Sequence, residues 1–474
     1  MFIVLNLPRK LMQLEWDYFV NYYLLYSLGG LAILFSVMHM LYRRRSPLSM
    51  TAWLLLMVIA PYFFVLFYFF FGIRKRSLHK EKSPLALYSK DDEKGILHPI
   101  ETLLRNNGTP PSSEDNRLSF HTDATQAYEA LYTALKDAQH SISISTYLLK
   151  NDTVTRKLFN LLIQKSQAGV DVRILTDAFG SIEIYFWQKP LKRLRQAGVK
   201  VSFFMPLLTL AFHNRINLRY HRKIYLIDNE VLFSGGMNLA QEYMGPKPVK
   251  GRWADLLFRC EGSMLDDYIN IFESDWAYSQ ELLSKHISTA ASIKKGDCKV
   301  QVIPSGADVK NDALLEAIVY AIHKASKRIW IVTPYFVPDE SIFQALRIAL
   351  HRGVDVKLIT PDKSDNIIAD FGRSSYIREA QEWGMEIALY TKSMLHAKSI
   401  LFDDDAVMFG SVNLDNRSLL LNYEVVTVAY SKEPIDDIDR WMKELLKDTA
   451  SYIPPDNKIR RIVENLMRVF VPQI

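Results

Sequence analysis

Two histidines, two lysines, two aspartates and two asparagines recur in this 474-residue chain at one spacing. The first set lies in HRKIYLIDNEVLFSGGMN, residues 221–238, and the second in HAKSILFDDDAVMFGSVN, residues 396–413. Both reduce to H-x-K-x4-D-x6-G-x2-N. His221, Lys223, Asp228, Gly235 and Asn238 thus return as His396, Lys398, Asp403, Gly410 and Asn413, each 175 positions later. Imidazole serves as nucleophile or general acid near neutral pH. A lysine ammonium suits phosphate oxygens, and an asparagine amide donates to an oxyanion without adding charge. Brought face to face, the two sets suit in-line displacement at phosphorus. One imidazole attacks, the other protonates the leaving oxygen from the opposite side, and the lysines and asparagines hold the non-bridging oxygens. That task requires no metal or other cofactor, and no carboxylate/histidine cluster at metal-ligand spacing is visible. Asp228 and Asp403 complete the two His/Lys/Asp sets. They sit in the turns DNE and DDD, where an aspartate commonly bonds backbone.

The elements that must position these groups are legible around them. In HRKIYLID, residues 221, 223 and 225 fall on one face of a strand and 222, 224 and 226 on the other. VLFS and AVMF read as the returning strands, and Gly235-Gly236 and Gly410-Ser411 allow a tight bend that carries Asn238 and Asn413 back toward the histidines. From residue 117 strands and helices alternate. Strand patterns at 141–148, 170–175 and 199–204 are separated by helical patterns at 153–168 and 189–197. The order repeats with strands at 329–332, 354–359 and 385–390 and helices at 313–326, 339–352 and 374–383. Such alternation argues for an α/β sheet. GVDVRILTD at 169–177 against GVDVKLITPD at 353–362 marks a duplicated domain whose halves face each other.

In front of the halves lie two stretches without Asp, Glu, Lys or Arg, 18–42 and 46–73. Each exceeds the roughly 20 apolar residues that cross a bilayer core, so the expected anchor, residues 1–76, is a hairpin spanning the membrane twice, at about 18–42 and 50–73. Pro61 kinks the second span, and Trp53, Tyr62 and Tyr68 suit membrane interfaces. Flanking basic residues number seven on the side of the chain ends (Arg9, Lys10, Arg74, Lys75, Arg76, Lys80, Lys82) and three in the turn (Arg43–Arg45), which favours a cytoplasmic body. Residues 77–118, rich in Lys, Glu, Asn, Ser and Pro, read as a linker with NNGTPPSSEDN as its clearest loop. The halves then run 119–295 and 296–474. A net charge of +6 fits an anionic membrane surface or a phosphate-bearing substrate. Cys260 and Cys298 form neither a disulfide framework nor a metal cluster. Two further stretches have double readings. FFMPLLTLAF at 203–212 is a buried strand and loop or an apolar lip against the bilayer, and the amphipathic 458–470 is a domain-packing helix or a membrane-surface one.

The doubled H-x-K-x4-D with its G-G/S-x-N tail resembles the phospholipase D superfamily. Further strings resemble its bacterial cardiolipin synthases over nearly the whole chain: SPLSMTAWLLL (46–56), GGMNLAQEY, GRWADLLFRCEG (251–262), TPYFVPDESIFQAL (333–346), LHAKS and NYEV (422–425). The resemblance implies an α/β fold of two phospholipase D-like sandwich halves in a multi-pass protein of a bacterial cell membrane. It implies transphosphatidylation through a phosphatidyl-histidine, two phosphatidylglycerol molecules giving cardiolipin and glycerol. On this pattern His221 is the nucleophile and His396 the acid and then base, with the reverse assignment open. Lys223, Lys398, Asn238 and Asn413 bind phosphate. A carboxylate downstream of each signature orients the histidine of that signature, Glu424 serving His396 and Asp255 serving His221. Gly236 departs from Ser411 and removes a hydroxyl contact. Hydrolysis or transfer to another alcohol remains the alternative. A membrane-tethered nuclease has no long basic stripe with interleaved aromatics to support it, and a non-catalytic scaffold is opposed by the complete duplicated signature.

Overall fold

A computed structural model describes residues 7–43, 45, 47–72, 97–207, 218–282, 294–309, 311–455 and 457–470. Residues 77–96 of the expected linker, the basic cluster at 74–82 and residues 208–212 of the expected lip lie outside them. The chain divides into two compact units, with the boundary after Ile73.

The first unit holds three helices, α1 (Leu7–Tyr42), α2 (Pro47–Ile59) and α3 (Pro61–Phe71). Within α1, Asn21–Tyr42 is long and apolar enough to cross a membrane, and among the described residues no other helix is. The second apolar stretch, expected as one kinked span, is instead two helices of 13 and 11 residues. Pro61 has no N–H to donate and its ring obstructs the preceding turn, so Ala60 leaves helical geometry at φ −146° and Pro61 opens a new helix. Of the three aromatics, Tyr62 is exposed. Trp53 and Tyr68 are buried among the helices with Met40 and Met57, their rings 5.4 Å apart, and the Tyr68 hydroxyl bonds His39 Nδ1 at 2.8 Å.

The second unit is built on one hydrogen-bonded strand order that passes through both halves. The first half contributes β1 (Ser113–His121), β2 (Ser141–Thr146), β3 (Asp171–Asp177), β4 (Lys200–Phe204), β5 (Ile224–Ile227), β6 (Val231–Gly235) and β7 (Leu257–Glu261). The second contributes β8 (Cys298–Ser305), β9 (Arg328–Val332), β10 (Phe336–Val337), β11 (Asp355–Pro361), β12 (Glu386–Tyr390), β13 (Ser399–Phe402), β14 (Ala406–Gly410), β15 (Leu414–Asp415), β16 (Glu424–Ala429) and β17 (Thr449–Ser451). Outward from the seam the first half runs β1-β7-β6-β5-β2-β3-β4 and the second β8-β16-β14-β13-β9-β11-β12, with β17 on its edge. The two orders are the same arrangement. In each, three strands joined by helical crossovers lie parallel (β2-β3-β4 and β9-β11-β12). The signature hairpin (β5-β6, β13-β14) adds antiparallel to the first of them. Short apolar strands of β-branched residues covered by helices explain the parallel part. The antiparallel pair β1-β8 closes the seam, and one apolar core spans it, including Phe258, Tyr268, Val300, Phe409 and Val425. Cys260 and Cys298 are buried free thiols within it.

The described end of the expected linker, 97–118, is not a tether. It holds a helix α4 (Pro99–Asn106) and β1, the central strand of the seam. Its polar composition hides a stripe, because Ile100 and Leu104 face the core together and Leu103 packs beside them. Pro99 opens the helix, and His98 caps it by accepting from the Ile100 N–H at 3.2 Å. Of the stretch 203–212, Phe203, Phe204 and Met205 are buried in and after β4, as its buried-strand reading expects, while Pro206 is exposed.

Beneath the two signatures Arg222 ties the halves together. It is fully buried and points away from His221 and Lys223, as strand alternation requires. Its guanidinium meets both oxygens of Asp275 at 2.8 and 2.9 Å, Asp308 at 3.2 Å, and the carbonyls of Ser305 and Glu424 at 3.0 Å each. Ala397 holds the same place in the second signature. Arg222→Ala removes the cation from two buried carboxylates, and such a loss costs about 3–5 kcal/mol. Urea denaturation is expected to show that loss, while Arg222→Met together with neutral partners (Asp275→Asn, Asp308→Asn) recovers part of it.

Candidate active site

The residues before each histidine are paired with the opposite half. The His221 N–H donates to the Tyr423 carbonyl at 2.8 Å, and the Tyr423 N–H donates to the Arg219 carbonyl at 2.8 Å. The second copy repeats the exchange. The His396 N–H donates to the Ala254 carbonyl at 2.7 Å, and the Ala254 N–H to the Met394 carbonyl at 2.8 Å. Tyr423 is followed by Glu424 and Ala254 by Asp255. Each carboxylate is therefore delivered to the histidine across the seam. His221 Nδ1 donates to Glu424 Oε2 at 2.9 Å, and His396 Nδ1 to Asp255 Oδ2 at 2.8 Å. This corrects the same-half assignment. The pairing is crossed because inter-half backbone register, rather than distance along the chain, decides which imidazole each carboxylate meets. A carboxylate on Nδ1 selects the tautomer that leaves the Nε2 lone pair toward the pocket.

The departure at Gly236 has a geometric cause. Ser411 Oγ donates to Glu424 Oε2 and accepts from the Val425 N–H at 3.1 Å, bracing the longer carboxylate. At Gly236 a Cβ would stand 2.1 Å from Asp255 Oδ1. Asp255 reaches His396 from a shorter side chain and takes the space that Ser411 fills on the other side.

His221, His396, Lys223, Lys398, Asn238, Asn413, Asp255 and Glu424 are all buried. Lys223 Nζ donates to the His221 carbonyl at 2.8 Å, and Lys398 Nζ donates to the His396 carbonyl and lies 2.7 and 3.0 Å from His396 Nδ1 and Nε2. Asn238 Oδ1 accepts from Thr146 Oγ1 and the Leu148 N–H, both at 3.2 Å, which fixes its amide. Asn413 Oδ1 has no hydrogen-bond partner. Burial pushes the Lys223 ammonium down to about 7 against the pull of Glu424, and Lys398 down to about 8 against that of Asp255. Burial also lowers both imidazoles. Lys223 adds to this at His221, where Glu424 opposes it, and Lys398 adds at His396, which falls to about 3. Burial alone would raise Asp255 and Glu424, but the facing imidazole and lysine outweigh it and hold both below the usual carboxylate range. The result is a desolvated pocket of four basic groups and two ionised carboxylates, in which added negative charge restores protons to the bases.

Asp228 and Asp403, grouped with the catalytic sets in sequence, are outside the pocket, at the far tips of the hairpins. Asp228 accepts from the Gln139, His140 and Ser141 N–H groups at 2.7–2.8 Å, and Asp403 from those of Ser326, Lys327 and Arg328 at 2.8–2.9 Å. Each pins the start of the neighbouring parallel strand, and these donors hold both carboxyls low despite partial burial. Aromatic walls were not legible in the spacing. Tyr147 stands edge-on to His221 at 5.0 Å, and Tyr243 and Trp253 lie 5.1 and 5.4 Å from His396. The available signals are the positions of Tyr147 just after β2, Tyr243 just after Asn238 and Trp253 just before Asp255.

The crossed pairing is testable on the side chains alone. With ¹³C-labelled histidine, Glu424→Gln is expected to lower the titration midpoint of His221 and leave His396 unmoved, and Asp255→Asn to do the reverse. A shift of His396 in Glu424→Gln would contradict the crossed arrangement.

Comparison with known proteins agrees with this geometry. The family described as "Cardiolipin synthase, PLD-like domain" matches residues 131–276 and 318–446. Cardiolipin synthase 1 of Bacillus cereus is 31% identical over 458 residues, covering 90% of this chain and 89% of its own. The cardiolipin synthase of Geobacillus thermodenitrificans is 32% identical over 453 residues, with 90% and 89% covered. The crystal structure of phosphatidylserine synthase from Haemophilus influenzae superposes with a TM-score of 0.61 at 13% identity, over 80% of this chain and all of that one, a likeness of fold. With two matched regions, one in each half and each holding one signature, the chain belongs to the cardiolipin synthase family of phospholipase D-like proteins.

Proposed function

We infer that this chain is a phosphatidyltransferase that joins two phosphatidylglycerol molecules into cardiolipin and releases glycerol. The observation that supports this chemistry is the buried cluster of two carboxylate-held imidazoles and two lysines gathered across the seam. The choice of phosphatidylglycerol as donor and acceptor rests on the relatives.

The reaction runs in two displacements. His221 Nε2 attacks the donor phosphorus while Glu424 holds its Nδ1–H, so a P–N bond forms and the P–O bond to the glycerol headgroup breaks. His396 gives its proton to that leaving oxygen. Burial, with Lys398 beside it, holds the His396 imidazole neutral. The anionic phosphodiester stabilises its imidazolium and both ammoniums, so the substrate supplies the charge that arms the acid. Lys223, Lys398 and the amides of Asn238 and Asn413 hold the non-bridging oxygens. In the second step His396 takes the proton of an acceptor glycerol hydroxyl. That oxygen attacks phosphorus, the P–N bond breaks, and cardiolipin leaves. Asp255 keeps His396 oriented throughout, and Asp228 and Asp403 act at a distance by holding the hairpins.

In this reading residues 1–76 anchor the chain in the membrane, with α1 and the α2–α3 pair both crossing it. Residues 119–295 and 296–474 are the two halves, the first extended backward to take in all of β1 (Ser113–His121), which closes the seam. The seven-to-three excess of basic residues beside the chain ends supports a cytoplasmic catalytic body.

Purified chain incubated with phosphatidylglycerol is expected to yield cardiolipin and glycerol in equal amounts. Phosphatidic acid as the main product would replace transfer by hydrolysis. His221→Ala and His396→Ala should each lose at least about a thousandfold in kcat with unchanged thermal unfolding. His396→Asn should accumulate a phosphatidyl adduct that peptide mapping finds on His221; an adduct on His396 in His221→Asn would exchange the two roles. Because Lys223 and Lys398 are depressed to about 7 and 8 in the free pocket, their charge is present below those values and lost above them. Accordingly kcat/KM should fall as pH rises through about 7–8, with kcat falling less because bound phosphate returns the protons.

A further inference from the structure

The C-terminal helix, Lys458–Phe470, is reversed relative to an ordinary surface helix. Its polar side is docked. Glu464 is fully buried and accepts from Arg378 at 2.6 Å and Arg460 at 2.9 Å. Asn465 accepts from Arg378 at 2.8 Å, and the Arg468 guanidinium lies 4.4 Å from the Tyr376 ring. Its outer side carries Ile459, Ile462, Val463 and Leu466, a stripe at i, i+3, i+4 and i+7, with Ile459 and Ile462 exposed to 73% and 67%. The helix it docks on, Ile367–Glu382, begins with exposed Ile367 and Ile368, Ile367 at 73%.

Ile367–Glu382 follows β11. The matching place in the first half, after β3, holds Phe179, Ile182, Phe186 and Trp187, all exposed, Trp187 at 72%. Both places adjoin the pocket. Ser181 Oγ donates to the Tyr147 carbonyl at 3.1 Å, and Tyr147 stands edge-on to His221. On the other side Asp365 accepts from the Tyr335 hydroxyl, just past β9, and its charge reaches Lys398. Two apolar ledges thus flank one pocket, one from each half. Several large apolar side chains left exposed on one element mark an interaction surface. Its borders are basic: Lys189, Lys192, Arg193 and Arg195 follow Trp187 on an exposed helix face, and Lys458 and Arg460 are exposed where the outer stripe begins.

We propose that these two ledges seat the pocket on an anionic bilayer surface, their aromatic and aliphatic groups in the headgroup–acyl boundary and the bordering basic groups against lipid phosphates. The assignment rests on the phosphatidyltransferase reading and adds where the lipid enters: between the ledges, headgroup first, with its acyl chains still in the membrane.

The test uses the full chain in vesicles of phosphatidylcholine with phosphatidylglycerol. Cys260 and Cys298 are buried, so a fluorophore attaches selectively at Ile182→Cys, Ile462→Cys or the control Glu230→Cys, at the hairpin tip remote from His221. Spin-labelled lipids should quench positions 182 and 462 several-fold more than 230. Equal quenching at all three overturns the proposal. This reading needs no turnover, so its failure is separate from a failure to make cardiolipin. With turnover, Trp187→Glu and Ile462→Glu should raise the vesicle KM about tenfold each, as expected when an apolar anchor becomes a charge. They should leave kcat on detergent-dispersed short-chain phosphatidylglycerol unchanged. An unchanged vesicle KM in both variants also overturns it.

Discussion

Everything in the catalytic unit depends on two hydrogen bonds that cross its seam. Glu424 belongs to the second half and holds His221 of the first; Asp255 belongs to the first and holds His396 of the second. Neither half can complete its own dyad, so duplication here is an obligation of the chemistry as well as a record of descent. The rest of the unit serves that crossing. The antiparallel β1-β8 pair closes the sheet, the shared core fills the seam, and Arg222 bonds the Glu424 carbonyl while pairing with acids from both halves. The longer carboxylate is braced by Ser411. The shorter one needs Gly236 to be bare.

The second constraint is electrostatic. Four basic groups packed in a dry pocket repel one another, and burial removes the water that would screen them. Burial therefore favours loss of protons, which lowers both imidazoles and leaves the lysines near their titration points. A neutral imidazole is the form that attacks phosphorus, while the acid must be protonated. One phosphodiester resolves the conflict, since its charge is felt most by the groups around its oxygens. The same argument gives the pocket a preference for anions without any appeal to shape.

The signature, the repeat and the alternation of strands and helices were legible because each is a local or periodic feature: strand alternation puts His221 beside Lys223, and an apolar VDVRIL between helices is a buried parallel strand. What was not legible was decided across the seam. No spacing rule reveals that Tyr423 lies beside His221, so distance along the chain pairs each carboxylate with the wrong imidazole. Composition misled at 97–118, where Pro, Ser and Asn outvote the Ile100/Leu104 stripe of a short helix. At 203–212 composition leaves a buried strand and an apolar lip equally open, and Phe203–Met205 are core. The C-terminal helix reads as amphipathic either way up, and only its contacts reveal that the polar face is the one buried.

The central claim is that two histidines act in sequence on one phosphorus, with a covalent phosphatidyl-histidine between two in-line displacements. Stereochemistry tests it most directly. Each displacement inverts phosphorus, so two in series restore the original configuration. Phosphatidylglycerol made chiral at phosphorus by a single sulfur substitution should give cardiolipin with net retention at the transferred centre. Net inversion would mean that the acceptor attacks the donor phosphorus directly, and it would contradict the account.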